Sequence, residues 1–198
     1  MPTVSKGFQV KMNHGEYVGE EVMALNMRRP DNSIDVEFAP ERIDITSNVA
    51  DYPWENLMSA ASDIQNKLVS ELNVKISRLA LGANIRYVMS EDIIRSAYNK
   101  IVSSEEDKNL PVEWIIRKAL RSLLSLDNNV SVNTNKAYTL SKPDSSTDFL
   151  NLELDFNTVV GSDVAAITPN RMSILNEFLK FIKSDIEKYR TLFESWNQ

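Results

Sequence analysis

The stretch that decides the fold is Leu150-Asn151-Leu152-Glu153-Leu154-Asp155-Phe156-Asn157, in which every second residue is apolar. This alternation predicts a β-strand with its leucines and phenylalanine buried and its polar residues in solvent. From Thr168 onward apolar residues recur at steps of three and four and continue to Trp196. With Thr168 as a cap and Pro169 at the first helical position, this spacing predicts a C-terminal helix of roughly 28 residues, about 42 Å long.

The first third of the chain alternates in the same way, over residues 8–12, 23–27 and 34–38 and again at Ile43 and Ile45. Three meandering antiparallel strands are the simplest interpretation. At Pro53 the period changes to that of a helix. This predicted helix continues to Leu72 and ends at Asn73.

The middle of the chain mixes both periods. Alternation over residues 74–87 reverses its phase at Ser77-Arg78, which predicts one long strand with a bend or bulge. Ser90-Glu91-Asp92 begins a short helix, and Pro111 begins another that carries apolar residues to Leu124. A further strand is predicted over residues 130–138.

Together these elements predict an α+β fold, a mainly antiparallel, bent sheet with packed helices and a long C-terminal helix. The 198 residues are 42% hydrophobic, enough for one substantial core, so we expect a single domain over residues 1–198. A strand, turn and Pro-initiated helix occur in each half of the chain, which leaves open a duplication of βα halves, residues 1–73 and 74–198.

Missing residue types narrow the chemistry. The chain has no cysteine and one histidine, His14, so thiol nucleophiles, cysteine-ligated zinc and two-histidine metal sites are excluded. Its five glycines are scattered, so no glycine-rich loop would cradle a phosphate. We therefore expect no cofactor, and the composition favours a protein that is not an enzyme.

Charge and hydropathy indicate which partners and which cellular compartment to expect for the protein. The net charge of −6 disfavours nucleic acid, although Arg117, Lys118 and Arg121 would form a local basic patch on the helix that begins at Pro111. No apolar run is long enough to span a membrane, and the N-terminus lacks the apolar core of a signal peptide. We expect a cytoplasmic protein of a bacterium or of one of its mobile elements.

Carboxylates form one candidate site. Asp35 and Glu37 point outward from one predicted strand, and Glu153 and Asp155 point outward from another. If those strands were neighbours, the four side chains would converge as a site for Mg²⁺ or Mn²⁺ requires. A solvated sheet face explains the same pattern, so we assign no metal site and keep a metal-dependent hydrolase as an alternative.

Aromatic residues form the other candidate site. Tyr189, Phe193 and Trp196 crowd the end of a helix that is longer than a small sheet can cover. Aromatic side chains in that position are typical of a protein interface, so these three residues are the predicted interface.

Several stretches resemble a sporadically distributed, uncharacterised bacterial protein family. They are Val36-Glu37-Phe38-Ala39-Pro40-Glu41-Arg42-Ile43 with the helix after it, Leu79-Ala80-Leu81-Gly82, Leu152-Glu153-Leu154-Asp155-Phe156, and Tyr189-Arg190-Thr191-Leu192-Phe193-Glu194 at the end of the last helix. The resemblance covers most of the chain and implies the same fold class. It implies no catalytic residue.

The favoured function is a non-enzymatic protein-interaction module that binds a protein partner or forms a homodimer, in a bacterial or phage accessory system of defence or counter-defence. One alternative is a small-molecule or nucleotide-binding protein with a pocket between sheet and helices. The metal-dependent hydrolase is the other.

Overall fold

The computed structural model describes residues 3–13, 16–39, 42–101, 113–126, 129–143, 148–161 and 164–196. The chain divides into two compact units, a first unit, Met1–Val74, and a second unit, Lys75–Gln198. The boundary lies one residue from the division predicted between the two βα halves. The single-domain organisation and the duplication stay predictions.

The first unit is an antiparallel meander followed by a helix. Its four strands are hydrogen-bonded in chain order. The elements are β1 (Thr3–Asn13), β2 (Glu16–Arg28), β3 (Asp35–Ala39), β4 (Arg42–Thr46) and helix α1 (Trp54–Ser70). The meander therefore has one more strand than predicted, because the residues after Pro40 pair with β3 as a separate strand.

Helix α1 begins next to Pro53, as the sequence predicts, and ends at Ser70, two residues before the predicted Leu72. Pro53 occupies the N-cap position with an extended ψ of 124°, and α1 begins at the next residue. At the other end Asn73 adopts a left-handed φ of 53°. This lets the Val74 amide donate to the Leu68 carbonyl at 3.0 Å, which satisfies one of the carbonyls that a helix end leaves without a partner.

The second unit has its own antiparallel sheet, in the order β5-β8-β7-β6. Its elements are β5 (Ala80–Val88), α2 (Glu91–Ile101), β6 (Trp114–Ser125), β7 (Ser131–Lys142), β8 (Phe149–Thr158) and α3 (Val164–Glu194). Placing β8 between β5 and β7 puts the strand with the clearest alternation in the middle of the sheet. Strands β5 and β6 are the two edges.

The core of the second unit lies between this sheet and α3. Leu154 is only 2% exposed, and Leu152 and Phe156 are fully buried. Phe178 and Ile182 of α3 are buried as well, and the Phe156 and Phe178 rings meet edge to face. We call this side of the sheet the inner face and the opposite side the outer face. The α+β class and the long C-terminal helix are confirmed.

The helix predicted after Pro111 is a strand in the structure. The residues after Pro111 were predicted to form a helix, but Trp114–Ser125 is strand β6. Its apolar residues recur at three and four residue steps, which fits a helix, but every residue from Trp114 to Ser125 pairs with β7. The hydrogen bonds of that hairpin outweigh the local helical pattern.

The predicted bent strand is also shorter than expected. Residues 74–79 are irregular, and β5 begins at Ala80. Threonine hydroxyls tie the segment down: the Ile76 amide donates to Thr168 Oγ1 at 3.0 Å, and the Leu79 amide donates to Thr158 Oγ1 at 3.0 Å. The predicted Thr168 cap of α3 is wrong, because the helix begins at Val164, so that both Thr168 and Pro169 lie inside its first turns.

Within the described ranges, none of the helices combines the length and the apolar character needed to cross a membrane.

Candidate functional site

The end of α3 carries a cluster of aromatic rings centred on Phe193. This ring lies 4.9 Å from Tyr87, 5.9 Å from Tyr189 and 5.3 Å from Trp196, measured between centroids. Phe193 is only 4% exposed, whereas Tyr189 and Trp196 are half-buried. Phe193 is thus the floor of the cluster, and the two other predicted interface residues are partly open to solvent.

The cluster is anchored to three elements of the second unit. Tyr87 of β5 donates its hydroxyl proton to the Ile186 carbonyl of α3 at 3.2 Å. Lys100 of α2 places its ammonium nitrogen 5.4 Å from the Trp196 ring centroid, within the range of a cation–π contact. Burial raises the pKa of both Tyr87 and Tyr189 above the ordinary value, so both rings stay protonated at neutral pH.

Beside the cluster is a shallow cavity of about 470 Å³ at the end of edge strand β5. We call its lining the β5 patch, and it consists of Arg86, Tyr87, Val88, Met89, Ser90, Ile93, Arg190, Phe193 and Glu194. Val88 is 82% exposed, an apolar side chain almost wholly in solvent. Arg86 lies over the Phe149 ring at 5.0 Å, and Arg190 pairs with Glu187 at 3.0 Å. The patch therefore has an apolar centre beside charged groups.

The predicted interface residues are brought together, but their arrangement differs from a free helix end. The sequence predicts that the end of α3 extends beyond its sheet, whereas its rings pack on β5 and lie beside Lys100 of α2. Phe193 is buried by this packing, so only Tyr189 and Trp196 offer ring surface. The interface role of the three residues stays a prediction.

Val88 was not among the predicted site residues. The alternation of β5 places Leu81, Ile85 and Tyr87 on the inner face, so Val88 falls on the outer side, where a polar residue is the rule. An apolar residue out of phase at the end of a strand was the signal that would have located the patch.

The four candidate carboxylates lie in two different sheets. Asp35 and Glu37 are on β3 of the first unit, and Glu153 and Asp155 are on β8 of the second. The strand neighbours that the metal hypothesis requires therefore do not occur, and this correction removes its premise. Within the described part of the chain, no three histidine, cysteine or acidic side chains come together as a metal site.

One aspartate of each pair has a hydrogen-bond partner. Asp35 accepts a hydrogen bond from Arg28 Nη2 at 3.0 Å, and Asp155 accepts one from Asn157 Nδ2 at 3.1 Å. Neither aspartate is buried, and Glu153 is exposed, as the alternation predicts. His14, the one histidine, lies outside the described residues.

A second cavity, of about 710 Å³, lies in the first unit between the β2–β3 turn and α1. It is lined by Met27, Arg28, Arg29, Pro30, Asp31, Ile34, Val36, Tyr52, Asn56, Ser59, Ala60, Asp63 and Ile64. Arg29 and Tyr52 both line the cavity, and Arg29 donates to the Tyr52 hydroxyl at 3.3 Å. Asp31 accepts hydrogen bonds from the Ser33 hydroxyl and amide, which lower the pKa of its carboxyl.

Comparisons of the chain with protein-family models, with curated proteins and with solved structures found no match.

Proposed function

We propose that this chain is a non-enzymatic protein-interaction module that binds its partner, another protein or a second copy of itself, at the β5 patch. The observation that carries the proposal is Val88, 82% exposed beside an anchored aromatic cluster. Interfaces concentrate their binding energy in a few anchors, mostly aromatic and arginine side chains, surrounded by other polar and apolar contacts. The β5 patch supplies both parts.

The rigidity of the patch supports the same proposal. Phe193 is held between Tyr87, Tyr189 and Trp196, and the Tyr87 hydroxyl is tied to the backbone of α3. A partner would bind without first ordering these rings, which lowers the entropic cost of association. Arg86 and Arg190, which lie in the lining, would then contact acidic or carbonyl groups at the edge of the interface.

The test replaces Val88 by aspartate and measures mass by light scattering and capture of proteins from lysate. The matched control is Val160→Asp, because Val160 is 67% exposed, lies in the same unit and is absent from the patch. We expect Val88→Asp to lose the dimer or the captured partner while its circular dichroism is unchanged, and Val160→Asp to retain both. Unaltered association in Val88→Asp, or a wild-type protein that neither dimerises nor captures a partner, would refute the proposal.

A second candidate function is small-molecule binding in the first unit. The observation in its favour is the cavity between the β2–β3 turn and α1, whose volume of about 710 Å³ is in the range of ligand pockets. A thermal-shift screen of metabolites and nucleotides tests it, with Ala60→Phe as the variant that fills the cavity. We expect a true ligand to stabilise the wild type and to leave Ala60→Phe unchanged. A shift that is equal in both proteins would place the ligand elsewhere.

A further inference from the structure

The opposite edge of the second sheet has its own recognition features. Strand β6 pairs with β7 along all of Trp114–Ser125, and among the described residues no strand pairs with its other edge. An unpaired edge of this length presents a row of backbone donors and acceptors that an extended chain can use. This edge goes beyond the function proposed above, which uses the β5 end of the sheet.

Strand β6 is basic. It contains Arg117, Lys118 and Arg121 and no acidic residue. All three cations are exposed. On the predicted helix these three cations would have shared one turn. On a strand they separate, with Arg117 and Arg121 on the outer face and Lys118 on the inner one.

The register defines the outer row. Arg117 pairs with Thr139, which pairs with Glu153, and Arg121 pairs with Asn135, so both arginines lie on the outer face. The same face of β6 carries Ile115, which is 71% exposed, and Leu123, which is 62% exposed. Along the outer row the order is therefore apolar, basic, small, basic, apolar.

A chain of hydrogen bonds holds one of these arginines. Arg121 Nε donates to Asn135 Oδ1 at 3.4 Å, and Asn135 Nδ2 donates to Asn157 Oδ1 at 3.2 Å. Asn157 Nδ2 in turn donates to Asp155 Oδ2 at 3.1 Å. The relay uses one N–H of the guanidinium and fixes its position, which leaves the terminal nitrogens for a partner carboxylate.

The acidic residues of the same face are too far away to neutralise the β6 cations. Glu153 and Asp155 lie on β8, two strand spacings or about 10 Å from β6. The outer residues of β7 between them include Asn135, Ala137 and Thr139, none of which is charged. Charges of opposite sign separated by about a Debye length attract each other weakly, so the edge stays basic.

The charge identifies the occupant of the edge. A second copy of β6 would bring the same three cations against the first set, and like charges on adjacent strands are destabilising. We propose that β6 binds an extended acidic segment of another protein by strand addition, with carboxylates opposite Arg117 and Arg121 and apolar side chains opposite Ile115 and Leu123. The outer row reads the same in both directions, so a parallel or an antiparallel segment fits.

The experiment uses a fluorescein-labelled peptide of sequence LTETATETL, whose two glutamates have the spacing of the two arginines. The peptide LTTEAETTL, of equal composition, moves both acids to the opposite face. We expect the wild-type chain to bind the first peptide, and Arg117→Glu/Arg121→Glu to weaken it by about tenfold or more. The control Lys75→Glu/Arg78→Glu changes the net charge by the same amount at two exposed cations outside the sheet, and we expect it to bind normally.

Hydrogen exchange locates the bound peptide. We expect slower amide exchange in Trp114–Ser125 and unchanged exchange in Ala80–Val88 of the other edge. The milder Arg117→Gln/Arg121→Gln pair gives the same test if charge reversal perturbs folding, and Val88→Asp is expected to bind the peptide normally. Because Val88→Asp alters the β5 patch and leaves β6 intact, it distinguishes a failure of the β6 proposal from a failure of the β5 proposal.

Three outcomes would overturn the proposal. The first is equal affinity for LTETATETL and its lysine counterpart LTKTATKTL. The second is binding of an oligothymidylate but not of the acidic peptide, which would assign the edge to nucleic acid. The third is self-association of the wild-type chain that slows amide exchange in Trp114–Ser125 without any peptide, which would assign the edge to a second copy.

Discussion

Replacing Phe193 by alanine tests whether the end of α3 belongs to the core of the second unit. The ring is 4% exposed and contacts three other rings. A buried phenylalanine covers at least about 150 Å², which at about 25 cal/mol per Å² corresponds to about 4 kcal/mol. We therefore expect Phe193→Ala to lower the free energy of unfolding of the second unit by about 3–5 kcal/mol.

The assay must report on the second unit alone. The chain has three tryptophans, of which Trp54 lies in the first unit and Trp114 and Trp196 lie in the second. In a Trp54→Phe background, tryptophan fluorescence during guanidinium unfolding follows only the second unit. The free energies of unfolding with and without Phe193→Ala are then compared in that background.

Leu192→Ala is the matched control. Leu192 is adjacent in the helix but exposed, so we expect its truncation to cost less than about 1 kcal/mol. A loss below about 1 kcal/mol for Phe193→Ala would refute the reasoning, because it would mean that the aromatic cluster does not hold α3 to β5. A large loss in both variants would indicate a general sensitivity of the helix end.

Three further predictions follow from burial and hydrogen bonding. Leu154 is buried, so we expect Leu154→Ala to lower the free energy of unfolding by about 2–5 kcal/mol in chemical denaturation. Leu68 of α1 is half-buried, so Leu68→Ala should lower it by about 1 kcal/mol. A larger loss for Leu68→Ala than for Leu154→Ala would contradict the burial of these two side chains. Burial raises the pKa of Tyr138, and so does the Asp185 carboxylate, which accepts a hydrogen bond from the Tyr138 hydroxyl. The unfolded state therefore loses this proton at a lower pH than the folded state, and the free energy of unfolding falls as the pH rises above about 10. Chemical denaturation at increasing pH should show a smaller fall in Tyr138→Phe. Asn157→Ala breaks the relay to Arg121, and we expect weaker binding of the LTETATETL peptide with unchanged binding at the β5 patch.

Local patterns in the sequence were sufficient where one period dominated. Strand β8 alternates without a break, and its apolar side is the buried inner face. Helix α1 has one stripe between Pro53 and Asn73, and both residues mark its ends. In such segments the residues fit only one regular structure, because a change of period would expose the apolar side.

The β6 segment shows where local patterns fail. Ile115, Ile116, Leu123 and Leu124 have helical spacing, whereas on the strand that forms they divide between its two faces. A turn signal was present, because asparagines follow the apolar run and Asn129 adopts a left-handed φ of 61° at the hairpin. The hairpin with β7 decided the outcome, through backbone pairing that a local pattern does not contain.

Some features of the candidate sites follow from the sequence, and others depend on the fold. The sequence by itself identified the aromatic residues at the end of α3 and excluded thiol and histidine chemistry, because both conclusions need only residue types and a helical period. The burial of Phe193 and the exposure of Val88 beside it became clear only from the tertiary structure. The same is true of the two carboxylate pairs, which lie in different sheets, and of the basic residues, which lie along an unpaired edge. Burial and strand order arise from contacts between residues far apart in the chain, and that is the physical reason why these features depend on the fold.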